Sequence, residues 1–148
     1  MLTTIDNLRE IARRCQTGEA LSNDLASWLG SSLEQFLVRR HKTIEAALGL
    51  RAPRGGVPWW LEEAMRRRDA ALRELANLLF KALSPSAKAK RIHMLSVRYG
   101  TSAWLRDHNN ESMPPAYRGR PNEWLWQAFK SGAAMPICER QLRHILGN

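Results

Sequence analysis

The chain has 148 residues, enough for one domain or a domain with a small appendage, and its 44% hydrophobic content sits near the globular average and excludes wholesale disorder. Its 23 Lys/Arg against 14 Asp/Glu give a net charge of +9, and the excess is uneven: residues 1–80 carry 12 basic and 10 acidic side chains, whereas residues 81–148 carry 11 basic ones and only Asp107, Glu111, Glu123 and Glu139. Two distant cysteines, Cys15 and Cys138, argue against a disulfide scaffold, and no apolar stretch nears the roughly 20 residues that span a bilayer.

Apolar residues recur at helical spacing almost throughout, and no window alternates with period two, so the chain reads as all-α. The expected architecture is a compact bundle of six or seven helices. It comprises a helical core over residues 1–108, a polar linker over 109–121 and a C-terminal helical pair over 122–148 packed on the bundle, one domain overall. The N-terminal helices are expected to supply most of the core.

The first helix is predicted over about residues 5–16, with Thr3 or Thr4 accepting from a free N–H at its start. Ile5, Leu8, Ile11 and Cys15 make its apolar stripe, and Gly18 suits a left-handed stop. A second helix follows over about 23–40, capped by Ser22, with Asp24 at its positive end. Leu25, Trp28, Leu29, Leu33, Phe36 and Leu37 give it a wide face expected to be buried. A short helix over 44–48 lies between Thr43 as cap and Gly49 as stop, and LRAPRGGVP (50–58) is a loop.

A long helix is predicted from 59 to about 81, with Leu61, Met65, Leu72, Leu75 and Leu79 on one face. Arg66, Arg67 and Arg68 splay across about 200° of it and read as a solvated face, while Glu62 with Arg66 and Asp69 with Arg73 are spaced for weak pairs. Ser84-Pro85 opens the next helix, expected to reach about 107, with Gly100 the place where it bends or breaks. Ile92, Leu95, Tyr99 and Ala103 face inward with Trp104 beside them. Lys88, Lys90, Arg91, Arg98 and Arg106 remain for the outside, and Lys88, Arg91 and Arg98 share a face. HNNESMPPAYRG (108–119) is polar linker, and two short helices over 122–130 and 139–146 finish the chain, stopped by Gly132 and Gly147.

Catalytic signatures are sparse. The four histidines form no i,i+4 pair, neither cysteine lies in a Cys-x-x-Cys, Arg54-Gly55-Gly56 lacks the Lys-Ser/Thr of a phosphate loop, and no Gly-x-Ser-x-Gly occurs. Asp107-His108-Asn109-Asn110-Glu111 has residue types that serve acid/base or metal chemistry, but it equally has the composition of a helix end entering a loop. No enzyme activity, cofactor or metal is therefore expected. The six tryptophans read chiefly as packing residues, Trp28 as core. Trp124 and Trp126, two apart on one helix, cannot both point fully inward.

Residues 124–146 (WLWQAFKSGAAMPICERQLRHIL) have the outline helix, turn, helix. Leu125, Ala128 and Phe129 pack the first element, Ile137, Leu142, Ile145 and Leu146 give the second its apolar face, and Arg140, Arg143 and His144 lie away from that face or at its margin, with Glu139 and Gln141. Arginine suits a guanine edge and glutamine an adenine edge. The outline resembles the helix-turn-helix class of DNA-binding proteins, although the turn Gly132 to Pro136 exceeds the usual three to four residues. The resemblance implies DNA contact through the second helix. More broadly, RRRDAALREL (66–75) and RQLR (140–143) resemble small basic helical proteins of unknown function encoded in bacterial or phage genomes, which implies no activity.

The functional expectation is a cytoplasmic, non-enzymatic nucleic-acid-binding protein, with DNA ahead of RNA. Its anion contacts would be Lys88, Arg91, Arg98, Arg118, Arg120, Arg140 and Arg143. The alternative is a protein-interaction or assembly module, such as a bacterial or phage adaptor or a homo-oligomer, marked by an apolar patch around Trp59, Trp60, Trp124 or Trp126. A membrane partner is not expected, because the amphipathic stripes are needed for the core.

Overall fold

The computed structural model describes residues 3–147, and all regular structure among them is helical. The elements are α1 (Thr4–Thr17), α2 (Asn23–Leu37), α3 (Ile44–Ala47), α4 (Trp59–Leu79), α5 (Pro85–Gly100), α6 (Trp104–Asp107), a 3-10 turn (Pro115–Tyr117), α7 (Pro121–Lys130) and α8 (Glu139–Leu146). None of these helices is long and apolar enough to cross a membrane. The chain divides into two compact units, one ending at Trp59 and the other beginning at Trp60.

In the N-terminal unit the caps form where the sequence places them. Thr3 and Asp6 make a reciprocal capping box on α1, Ser22 accepts from Leu25 N at the start of α2, and Thr43 accepts from Ala46 N at the start of α3. Helix α2 stops at Leu37, three residues short of the expected end. Arg39 adopts φ 63°, and the N–H groups of Arg39 and Arg40 return to Phe36 O and Gln35 O. That is the closure Gly49 makes after α3, performed here by a side-chain-bearing residue at a cost of about 1–2 kcal/mol.

The expectation that the N-terminal helices supply most of the core is overturned. Ile11 and Ser32 are the buried residues described in this unit. Leu25, Trp28, Leu29 and Phe36 are half-buried, while Leu33 and Leu37 are 41% and 74% exposed. The cause is a shortage of covering structure: within this unit α2 packs against α3, whose four residues cannot cover a stripe running the length of α2.

The core belongs to the C-terminal unit. Leu72 and Leu75 of α4, Ile92 of α5, Leu125 of α7 and Leu142 of α8 are fully buried. Ala71, Ala76, Ala89, Ala103 and Ala128 fill the same cluster with small side chains. Helix α5 is its axis, packing against both α7 and α8. Arg73 Nε of α4 donates to Ile145 O at 2.8 Å, satisfying a carbonyl in the last turn of α8. Asp69 pairs not with Arg73 but with Arg68, at 2.7 Å.

Helix α5 starts on Ser84, which accepts from Ala87 N, with Pro85 in its first turn, and ends at Gly100. The helix expected to continue to 107 is interrupted: the hydroxyls of Thr101 and Ser102 donate back to Val97 O and Arg98 O, and four residues of α6 follow. A Cβ at Gly100 would lie 3.1 Å from the Phe129 ring, so this glycine lets α7 approach α5 closely. The polar segment after α6 is not slack either. Its 3-10 turn carries Tyr117 onto the core cluster.

Candidate nucleic-acid interface

Helix α5 buries Ala89, Ile92, Ser96 and Tyr99 on one side. The flank next to that side carries Lys88, Arg91, Leu95 and Arg98, at intervals of three and four residues that keep them in line. Facing this flank are the 3-10 turn and the start of α7. A cleft of about 390 Å³ lies between them, lined by Leu95, Arg98, Tyr99, Ser102 and Ala103 on one side and by Ala116, Tyr117, Arg120, Pro121 and Asn122 on the other. The structure thus brings Arg98 and Arg120 to one cavity, although they are far apart in sequence.

A buried carboxylate fixes the two walls. Asp107 is 6% exposed, and its Oδ2 accepts from Tyr99 Oη at 3.1 Å and from Tyr117 Oη at 2.5 Å. Burial first, and then the bond to Asp107, pushes the Tyr99 hydroxyl well above the ordinary tyrosine range. For Tyr117 the bond to Asp107 is the leading cause of an upward shift. Around this knot Tyr99 packs edge-on against Tyr117 and Phe129, with ring centroids 6.2 and 5.2 Å apart, and Trp104 lies 5.4 Å from Phe129.

Sequence reasoning placed Asp107 in a fraying helix end and missed this knot. It also missed Leu95, Ala116, Tyr117 and Asn122 as cleft residues. The available signal was the pair Arg118 and Arg120 beside an aromatic residue in an otherwise small-residue loop. His108, next in the chain, sets Nδ1 3.0 Å from Leu105 O and its ring edge-on to Trp104, closing α6. Among the described residues, no three His, Cys, Asp or Glu side chains cluster so as to hold a metal ion.

The remaining expected cations lie elsewhere. Arg118 is exposed between the 3-10 turn and α7. Arg140 lines a second cleft, of about 790 Å³, with Arg68, His144, Met135, Pro136 and Ile137, and Arg143 is exposed on α8 outside it. His93 Nε2 lies 3.2 Å from Ile137 O, so the edge of α5 bearing His93 faces the lead-in to α8. On the helix that edge is about 160° from the edge bearing Leu95. The seven cations therefore form two groups on opposite sides of α5, Lys88–Arg91–Arg98 with Arg118 and Arg120 in one, Arg140 and Arg143 in the other. Helices α7 and α8 are joined by eight residues, 131–138, and both pack on α5.

Ion pairing separates these cations from the arginines of α1 and from the arginine run of α4. Arg13 and Arg14 bind Glu10 and Glu19 at 2.6–2.9 Å. Arg66, Arg67 and Arg68 bind Glu62, Glu63 and Asp69 at 2.9, 3.7 and 2.7 Å. None of the seven expected contact residues forms an ion pair among the described residues. The chain matches no family model, no curated protein and no solved structure.

Proposed function

We propose that the C-terminal unit binds nucleic acid without catalysing a reaction on it, through the α5 flank and the turn that faces it. The observation that carries this is the line of Lys88, Arg91 and Arg98, free of carboxylate partners, with Arg120 across the cleft from Arg98. Lys88 and Arg98 are ten residues apart, about 15 Å along the helix, which spans several phosphates at the duplex rise of about 3.4 Å per nucleotide. Free cations release counterions when they meet phosphates, whereas the paired arginines of α1 and α4 first have to give up their carboxylates.

Fluorescence anisotropy with labelled duplex DNA, single-stranded DNA and RNA between 50 and 200 mM salt tests the reading (concentrations of the kind over which phosphate contacts are resolved). Five contacts, from Lys88, Arg91, Arg98, Arg118 and Arg120, predict a log–log salt slope of about −4.5 on duplex DNA. Absence of binding at the low-salt end, or a flat salt dependence, rejects the proposal. A second reading, association with a protein or with another copy, is favoured by Leu33, Leu37 and Val38, exposed at 41%, 74% and 59%. The tryptophan patch expected for that reading is incomplete, because Trp124 is buried and donates to Glu74 at 3.1 Å, although Trp60 is exposed. Light scattering that finds a monomer at high concentration disfavours self-association.

A further inference from the structure

We infer that the cleft between α5 and the 3-10 turn takes one unpaired nucleotide, so that this protein prefers single-stranded to duplex nucleic acid; the inference rests on the nucleic-acid reading above. The shape of the cleft carries it. Its floor holds the buried residues Tyr99 and Ala103, and its mouth holds the exposed residues Arg98, Ala116 and Arg120. This is a depression between two cations and not a ridge that projects into a groove. A convex duplex meets the cations at the mouth and nothing below them, because its bases are stacked and paired inside. An unstacked base can enter.

The volume of about 390 Å³ falls at the small end of the roughly 300–1,000 Å³ typical of small-ligand pockets, the scale of a single nucleotide rather than of a longer segment. The walls suit a base. Leu95, Pro121, Tyr99 and Tyr117 offer apolar and aromatic surface; the Asn122 amide, bonded to the Tyr117 hydroxyl, and the Ser102 hydroxyl oxygen, whose proton goes to Arg98 O, keep further hydrogen-bonding capacity for a base edge. Arg98 and Arg120 stand where the phosphates on either side of that base would lie, and Arg91 and Lys88 continue the track along α5. The Asp107–Tyr99–Tyr117 knot fixes the walls relative to each other before any ligand arrives, so the cleft needs little ordering on binding.

The test compares the full chain binding a labelled single strand and a duplex of equal length and matched sequence, by anisotropy at one salt concentration. The variants are Ala116→Phe and Asn122→Ala. Ala116 is exposed at the cleft mouth, so Ala116→Phe blocks the opening without disturbing the core. The expected result is tighter binding of the single strand. Ala116→Phe should weaken single-strand binding at least about fivefold, the lower end for losing one base–aromatic contact, while duplex binding stays within about twofold. Asn122→Ala should shift affinity in the same direction and alter the ranking of the four homopolymers. Equal affinity of the wild type for both forms overturns the inference and leaves the nucleic-acid reading standing. A single-strand preference unmoved by either variant also overturns it, since the nucleotide then sits elsewhere. No binding to either form removes both readings together.

Discussion

Replacing Asp107 with alanine removes the acceptor on which two tyrosine hydroxyls converge. Tyr99 is 3% exposed and cannot turn its hydroxyl to water, so its loss approaches the full value of a hydrogen bond to a charged group, about 1.5–3 kcal/mol. Tyr117 is half-buried and recovers part of its bond from solvent, which puts its share nearer 1 kcal/mol. Asp107→Ala is therefore expected to destabilise the C-terminal unit by about 2.5–4 kcal/mol, a large fraction of the 5–15 kcal/mol typical of a domain. Urea unfolding followed by tryptophan fluorescence reads the change, since Trp104 lies 6.2 Å from the Tyr99 ring. In a Tyr99→Phe background the same replacement should cost about 1.5–3 kcal/mol less, because the hydroxyl that would be orphaned is already gone. The knot also sets an alkaline limit. Both hydroxyls hold their protons more tightly in the folded state than in the unfolded one, where tyrosine ionises near 10. Their contribution is thus intact below that pH and is lost as pH rises beyond it, less steeply in Tyr99→Phe. A change under about 0.5 kcal/mol in Asp107→Ala, or strict additivity in the double variant, would refute the reasoning.

Two further outcomes follow from charge. Arg98→Ala with Arg120→Ala should reduce the duplex salt slope by about 1.8, whereas Arg66→Ala with Arg67→Ala, which removes arginines already paired with Glu62 and Glu63, should leave it nearly unchanged; comparable shifts would show that pairing does not decide which cations act. In the N-terminal unit, hydrogen bonds from Arg13 and Arg14 hold Glu10 at about 2, and those from Arg13 and Thr17 hold Glu19 at about 2. Both are depressed carboxylates, so their contribution is present above their ordinary value near 4.5 and is lost as pH falls towards 2. Circular dichroism of Glu10→Gln between those limits should show a smaller acid-induced loss of helix than the wild type, and identical curves would contradict the assignment.

Much of the candidate site was legible in residue spacing. Lys88, Arg91 and Arg98 were expected on one face of a helix and lie there, because that relation depends only on helical periodicity. Arg118 and Arg120 were expected as loop cations, but nothing in the sequence tied Arg120 to Arg98. Their meeting depends on Asp107 drawing Tyr117 back onto Tyr99, a bond between residues ten and eight positions apart through an irregular segment with no period to read. The same segment hid the cleft itself, since Ala116, Tyr117 and Asn122 become its wall only when the turn folds over α5.

The sequence alone determined most of the helices and their capped ends. Thr3, Ser22, Thr43 and Ser84 cap them, and Gly18, Gly49 and Gly147 close them in left-handed conformations, because caps are settled by hydrogen bonds within a few residues. Tertiary structure decided which apolar stripes are buried and which cations stay free. The stripe of α2 is as apolar as those of the core helices, yet much of it remains exposed because burial requires a partner surface, and α3 is too short to provide one. Asp69 pairs with Arg68, while Arg73, at the spacing that suits a helical pair, is turned to the end of α8. Burial and pairing are properties of what the rest of the chain brings alongside, and no local pattern encodes them.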